Sequence, residues 1–155
     1  MTIDFKPMEH TDTERLAQIM DIEKQAFGKG ALSEYVIVPM LRYGKVYAAV
    51  DEDDDPIACA YFMRDINEIG HAYLMSVAVL PVFRGKDVGT ELLKYAFTHL
   101  KRFGITNIRL TVDPANFNAL SVYREKLGFT VVENSKDEYG EGEDRLVMEK
   151  SLVQP

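Results

Sequence analysis

A single cysteine, Cys59, is all the thiol chemistry this 155-residue chain carries. One thiol closes no internal disulfide, and no Cys/His cluster offers a zinc tetrad. Cys59 sits in the apolar run 57–62, which predicts a buried strand residue rather than a reactive thiol. Cationic excess is missing as well. The 18 Lys and Arg face 25 Asp and Glu, giving a formal net charge of -7. Such a chain has no general attraction to nucleic acid or to an anionic membrane, although a local basic pocket still suffices for a phosphate. No apolar run approaches the roughly 18 residues of a membrane span. The first ten residues lack the basic-then-apolar order of a secretory signal. Repeats, low-complexity tracts and long linkers are absent too. The expectation is a cytoplasmic protein with one domain over residues 1–155.

What is present alternates between strand and helix signals. Residues 3–8 alternate weakly and predict an edge strand. Thr11 and Glu14 have capping-box spacing. Leu16, Ile19, Met20 and Phe27 recur at helical spacing until Gly28 and Gly30 end the run. A second helical stretch follows Ser33 and reaches Gly44. Residues 45–50, 57–64 and 71–80 read as strands, 89–102 as a helix and 107–112 as a strand. Residues 118–127 read as a helix closed by Gly128. Residues 129–133 and 146–150 alternate as a final strand pair.

Between the second and third strands stand five adjacent carboxylates, 51–55, followed by Pro56. They lack the spacing and the glycine of a calcium loop and read as a solvated hairpin tip. The unit 71–112 predicts a right-handed parallel crossover, and the three strands before it an antiparallel set. The fold class is α/β (α+β by other conventions): a mixed, mostly antiparallel sheet of about seven strands, with about four helices on both faces.

The most informative stretch is Leu80-Pro81-Val82-Phe83-Arg84-Gly85-Lys86-Asp87-Val88-Gly89-Thr90. It sets a Gly-rich, basic loop between a buried strand and a helix. The first N–H groups of a helix have no internal partner, and the helix dipole favours an anion there. Gly85 and Gly89 allow close approach to the backbone, and Arg84 and Lys86 add positive charge. A pyrophosphate suits such a cradle. The loop is neither GxxxxGK[ST] nor GxGxxG, which disfavours a nucleoside triphosphatase and a Rossmann dehydrogenase.

Leu80-Pro81-x-x-Arg84-Gly85-Lys86-x-Val88-Gly89-Thr90-x-Leu92-Leu93 resembles the acetyl-CoA signature of the GNAT superfamily of N-acetyltransferases, written Q/R-x-x-G-x-G/A. Arg84 and Gly89 match its ends, and Asp87 stands at the inner glycine position. Asp tolerates left-handed geometry but brings a negative charge near the pyrophosphate. Downstream, Asn116-Phe117-Asn118-Ala119-Leu120-Ser121-Val122-Tyr123 with Leu127-Gly128-Phe129 is similar to the family's N-x-x-A-x-x-x-Y…G-F segment. The Tyr123-to-Phe129 interval is one residue longer than in many members, as in some protein N-terminal acetyltransferases of the family.

The resemblance implies transfer of acetyl from acetyl-CoA to a primary amine, with no metal required. It implies that backbone groups of Val77, Ala78 and Val79 hold the pantetheine arm. Arg84, Gly85, Lys86, Asp87, Val88, Gly89 and Thr90 would hold the pyrophosphate. Asn116 and Asn118 would border the cofactor, although turn and cap chemistry accounts for them equally. Tyr123 would protonate the departing thiolate.

The base is not evident. The position aligned with a family glutamate is Thr111, a neutral hydroxyl. Glu23, Asp65, Glu68 and Asp113 are the available carboxylates, each by itself reading as a solvated surface group. Water-relayed deprotonation serves equally well. The acceptor, a small-molecule amine or a peptide N-terminus, would lie against residues 27–43 and the acidic loop 137–144. Neither nucleic acid nor membrane is expected as a partner, and a homodimer is compatible with the family. The competing reading is a non-catalytic CoA-binding or regulatory domain.

Overall fold

The computed structural model describes residues 2–153. Seven strands hydrogen-bond in the order β1-β2-β3-β4-β5-β7-β6. They are β1 Asp4–Pro7, β2 Lys45–Val50, β3 Pro56–Arg64, β4 His71–Val79, β5 Asn107–Val112, β6 Thr130–Ser135 and β7 Arg145–Ser151. The helices are α1 Thr13–Phe27, α2 Glu34–Tyr43, α3 Val88–Leu100 and α4 Phe117–Ser121. The sheet is mixed and mostly antiparallel, as the element order predicts.

Two compact units divide the chain. The first comprises Met1–Met63 and Leu74–His99. In it β1 runs antiparallel to β2, and β2 antiparallel to β3, with Lys45 opposite Phe62. β2 and β3 are apolar on both faces, so each is a near-continuous buried run. The core joins Ile19 and Ile22 of α1, Ile37 and Met40 of α2, Val46, Ala48 and Val50 of β2, Cys59 and Tyr61 of β3, and Ala78 of β4. The apolar stripe of α1 has the i, i+3, i+4, i+7 spacing of a core-facing helix. Its start differs from the expected capping box. Asp12, not Thr11, precedes the helix and makes no side-chain cap. The Asp12 carboxylate instead faces the Arg15 guanidinium at 3.5 Å.

The second unit comprises Arg64–Tyr73 and Leu100–Pro155. Here the first residues of β4 run parallel to β5, with His71 opposite Asn107, which is the expected crossover pairing. β5 is antiparallel to β7, and β7 to β6. Ile108, Leu110 and Val112 alternate with polar residues along β5 and are buried. Leu120, Leu127, Phe129 and Met148 are buried in the same unit.

The expected helix 118–127 has a composite form. α4 is a single α-helical turn that continues as a π-helical segment, Val122–Lys126. Each π turn accommodates one residue more than an α turn. The chain then closes with Gly128 at φ 76 and a hydrogen bond from Phe129 N–H to the Tyr123 carbonyl at 2.9 Å.

Candidate active site

In the first unit, β4 leads through Leu80 into a 3-10 turn at Pro81–Phe83 and then into α3. Gly85 and Asp87 both have left-handed backbones, at φ 76 and φ 59. Asp87 therefore takes a backbone conformation that glycine adopts most readily. Its carbonyl accepts the first helical bond, from Glu91 N–H at 3.0 Å. The N–H groups of Val88, Gly89 and Thr90 precede that bond and have no intrahelical acceptor. Arg84, Gly85, Lys86 and Asp87 are exposed around them. Lys86 lies over the Phe83 ring at 5.8 Å, and Arg84 donates to the Ala26 carbonyl at 3.4 Å. The loop thus combines donors, helix dipole and two cations, the requirements for a bound pyrophosphate.

Gly89 has a further reason to be glycine. A Cβ there would stand 3.2 Å from the Val79 methyl and 3.9 Å from that of Val77. The residue lets α3 pack closely on β4, in addition to any approach of ligand. Val77 and Val79 are half-buried and Ala78 is buried. The two valines pack against α3 while Ala78 joins the core.

The same unit holds a group that sequence reasoning misplaced. Glu23 is completely buried, not a solvated surface carboxylate. Its position within the stripe Ile19, Ile22, Ala26 was the available signal. One oxygen accepts Leu32 N–H and the other the Ser76 hydroxyl, both at 2.9 Å. Burial pushes its pKa up, and the two hydrogen bonds pull it partly back. Asp65 is half-buried, and Glu68 and Asp113 are exposed.

In the second unit, Asn116 caps α4, its side-chain oxygen accepting Ala119 N–H at 3.2 Å. Asn118 lies exposed in the first turn. Tyr123 is half-buried in the π-helical segment, edge-on to Phe129 with ring centroids 5.7 Å apart. Burial raises its pKa, which keeps the phenol protonated at neutral pH.

A second hydroxyl cluster lies on β4, β5 and the loop between β6 and β7. The Tyr73 hydroxyl shares a hydrogen bond with Thr111 at 3.0 Å and lies 3.5 Å from that of Tyr139. Burial pushes the Tyr73 pKa up to about 12, opposed by the bond to Thr111. The Arg145 guanidinium stacks on Tyr139 at 4.9 Å. Sequence reasoning reached Thr111 and the acidic loop but not Tyr73, because a tyrosine in a strand reads as packing.

The carboxylate oxygens of Asp51, Asp53 and Asp55 lie within 4.8 Å of one another. Asp51 uses its carboxylate on the backbone N–H groups of Asp53 and Asp55, at 2.9 and 3.0 Å. That is the turn chemistry expected of a hairpin tip. No helix among the described residues is long and apolar enough to cross a membrane.

Residues 16–129 match the sequence model of the acetyltransferase (GNAT) family. An N-alpha-acetyltransferase of Sulfolobus acidocaldarius is 30% identical over 156 residues, covering 89% of this chain and 91% of that protein. One from Saccharolobus solfataricus is 35% identical over 81 residues; the match spans 52% of this chain and about half, 48%, of that protein. Among solved structures, the NatC complex bound to Gag peptide and CoA contains a chain with TM-score 0.83 and 25% identity, covering 99% of this chain and 100% of that one.

Proposed function

We propose a function from one premise: the chain belongs to the GNAT family of acetyltransferases. It works as a single cytoplasmic acetyltransferase domain that moves acetyl directly from acetyl-CoA to a primary amine. The observation that carries this reading is the left-handed backbone at Gly85 and Asp87. It leads into α3, whose first N–H groups, on Val88, Gly89 and Thr90, have no intrahelical acceptor and would hold a pyrophosphate. Arg84 and Lys86 add charge to the same cradle. Main-chain groups of residues 77–79 hold the pantetheine arm while their side chains stay packed.

The reaction needs an unprotonated amine, since an ammonium has no lone pair for the thioester carbonyl. Attack forms the C–N bond. Collapse of the tetrahedral adduct breaks the C–S bond, and the thiolate takes a proton. Tyr123 supplies that proton, a role supported by its place in the N-x-x-A-x-x-x-Y segment and by the burial that keeps its phenol neutral. The amine proton leaves through water, and the Tyr73, Thr111 and Tyr139 hydroxyls beside loop 137–144 offer it a polar route. Asn116 serves first as a helix cap, and with Asn118 it borders the cofactor.

The acceptor reading with most support is an exposed peptide α-amine. An α-amine has an ordinary pKa of about 7.7–8.0 and needs a weaker base than a lysine at about 10.4. The N-alpha-acetyltransferases among the relatives point the same way. The test is free-thiol release from acetyl-CoA with peptides of varied first residue and with small amines, each product weighed by mass spectrometry. Acetyl on a peptide α-nitrogen supports the reading. Exclusive modification of lysine side chains or polyamines overturns the acceptor. Binding of acetyl-CoA with no transfer to any amine favours the non-catalytic alternative.

A further inference from the structure

Glu23 occupies a place where a carboxylate is costly. It lies on the core stripe of α1 between Ile22 and Ala26, with no exposed surface. A buried ionisable group without a cation is disfavoured against an apolar residue of similar size, unless both oxygens are occupied by donors. Both are. Each oxygen reaches a different element of the first unit. Leu32 lies just before α2, beyond the Gly28–Gly30 turn that ends α1. Ser76 lies on β4, one residue before Val77.

Elsewhere the segment between the two helices is held by Leu32, whose side chain packs against the core, and by the Gly28 N–H bond to the Lys24 carbonyl. Its backbone turns on the Ala31 N–H to Gly28 carbonyl bond at 3.2 Å, and Gly28, Lys29 and Gly30 are exposed. Gly28 has a left-handed backbone, at φ 56, and no atom stands within 4 Å of where its Cβ would be. The exposed glycine turn has many accessible conformations, and an anchor beside it narrows them. Glu23 supplies it and ties the turn to the strand that carries the acyl-binding backbone.

We propose that Glu23 is a positioning residue: its carboxylate fixes the α1–α2 junction to β4 at Ser76, and so sets the wall on which the amine acceptor docks. The proposal rests on the acetyltransferase reading only for the word acceptor; the tether itself does not depend on it. Glu23 takes no part in proton transfer, because it is sealed from solvent and both its oxygens already accept hydrogen bonds.

The test uses three variants of the full chain and two readouts. Hydrogen exchange of residues 28–33 reports the tether directly, without activity. Kinetics with the best amine report its use. Glu23→Leu removes both bonds at similar volume. Exchange at 28–33 should accelerate about tenfold or more, and acceptor KM should rise roughly tenfold, with kcat and acetyl-CoA KM within about twofold. Glu23→Gln, the conservative variant, can accept Leu32 N–H with its oxygen and donate to a turned Ser76 hydroxyl, so it should recover most of the acceptor KM.

Ser76→Ala cuts one arm and should raise acceptor KM about threefold. It also decides the matter if Glu23→Leu fails to fold. Unchanged exchange in Glu23→Leu, or in Ser76→Ala where that variant alone folds, overturns the tether. Faster exchange with unchanged acceptor KM overturns its link to acceptor docking. Loss of kcat in Glu23→Gln overturns the positioning role in favour of acid–base chemistry. Faster exchange in an enzyme that acetylates nothing leaves the tether standing and sinks only the acetyltransferase reading.

Discussion

Two loops of the first unit contain aspartates with nearly the same left-handed backbone: Asp54 at φ 64 in the hairpin tip, and Asp87 at φ 59 before α3. They differ in what their surroundings leave unspent. In the hairpin tip the polar groups satisfy one another. Asp51 accepts two backbone N–H groups, and Asp54 is held between Lys6 and Arg15. Before α3, the first-turn N–H groups of Val88, Gly89 and Thr90 have no intrahelical carbonyl to bond, and Arg84 and Lys86 are exposed beside them. A run of five acids therefore makes a turn, whereas a loop of mixed charge at a helix start has the makings of an anion site. Helix-start donors, rather than charge density, separate the two.

The strongest way to break this contrast is Gly89→Glu. The added side chain meets Val79 and brings a carboxylate to the cradle. Acetyl-CoA affinity should fall by more than roughly 100-fold, with a lowered melting temperature. Calorimetric titration checks it, and retained affinity would move the cradle elsewhere. Tyr123→Phe comes next. Turnover should drop about 100-fold while acetyl-CoA binding stays unchanged. Equal turnover with the best amine would remove the phenol from the chemistry.

Asp87→Gly sharpens the comparison. It removes a charge from the anion site, so acetyl-CoA should bind several-fold more tightly. Weaker binding would show that the carboxylate supports the loop. Asp51→Ala should cost roughly 1 kcal/mol through its lost turn bonds and leave acetyl-CoA affinity untouched. A change in affinity would contradict the separation of the two loops.

The smallest effect is a pH dependence at Asp54. Lys6 and then Arg15 hold its pKa below the ordinary carboxylate value. A depressed folded pKa contributes stability above the unfolded value near 4, and that contribution is lost as pH falls through the folded value. The melting temperature of Asp54→Asn should therefore fall less than that of the parent between pH 5 and 2.

Much of this was legible in the sequence because its signals are local. Strand and helix order followed from periodicity, and β2 and β5 begin and end as their residues predict. The loop before α3 was legible for the same reason: its glycines, cations and helix start are contiguous. Glu23 was not, because its partners, Leu32 and Ser76, lie 9 and 53 residues away. Only its place in the apolar stripe of α1 hinted at burial. Tyr73 escaped because its hydroxyl partners come from β5 and a distant loop. The π-helical segment Val122–Lys126 was not legible, since residues 118–127 read as one regular helix. Contacts distant in sequence leave no periodic trace, whatever their importance.

The most direct measurement is a thermal-shift titration with acetyl-CoA against a control adenine nucleotide lacking the pantetheine arm. At about 100 times its dissociation constant, a ligand of the native state adds roughly 2.7 kcal/mol, a rise of about 5 °C or more in a domain this size. A saturable rise specific to acetyl-CoA, absent in Gly89→Glu, is the predicted result. No rise at millimolar acetyl-CoA, or an equal rise with the control, would contradict the claim that the loop before α3 holds the cofactor.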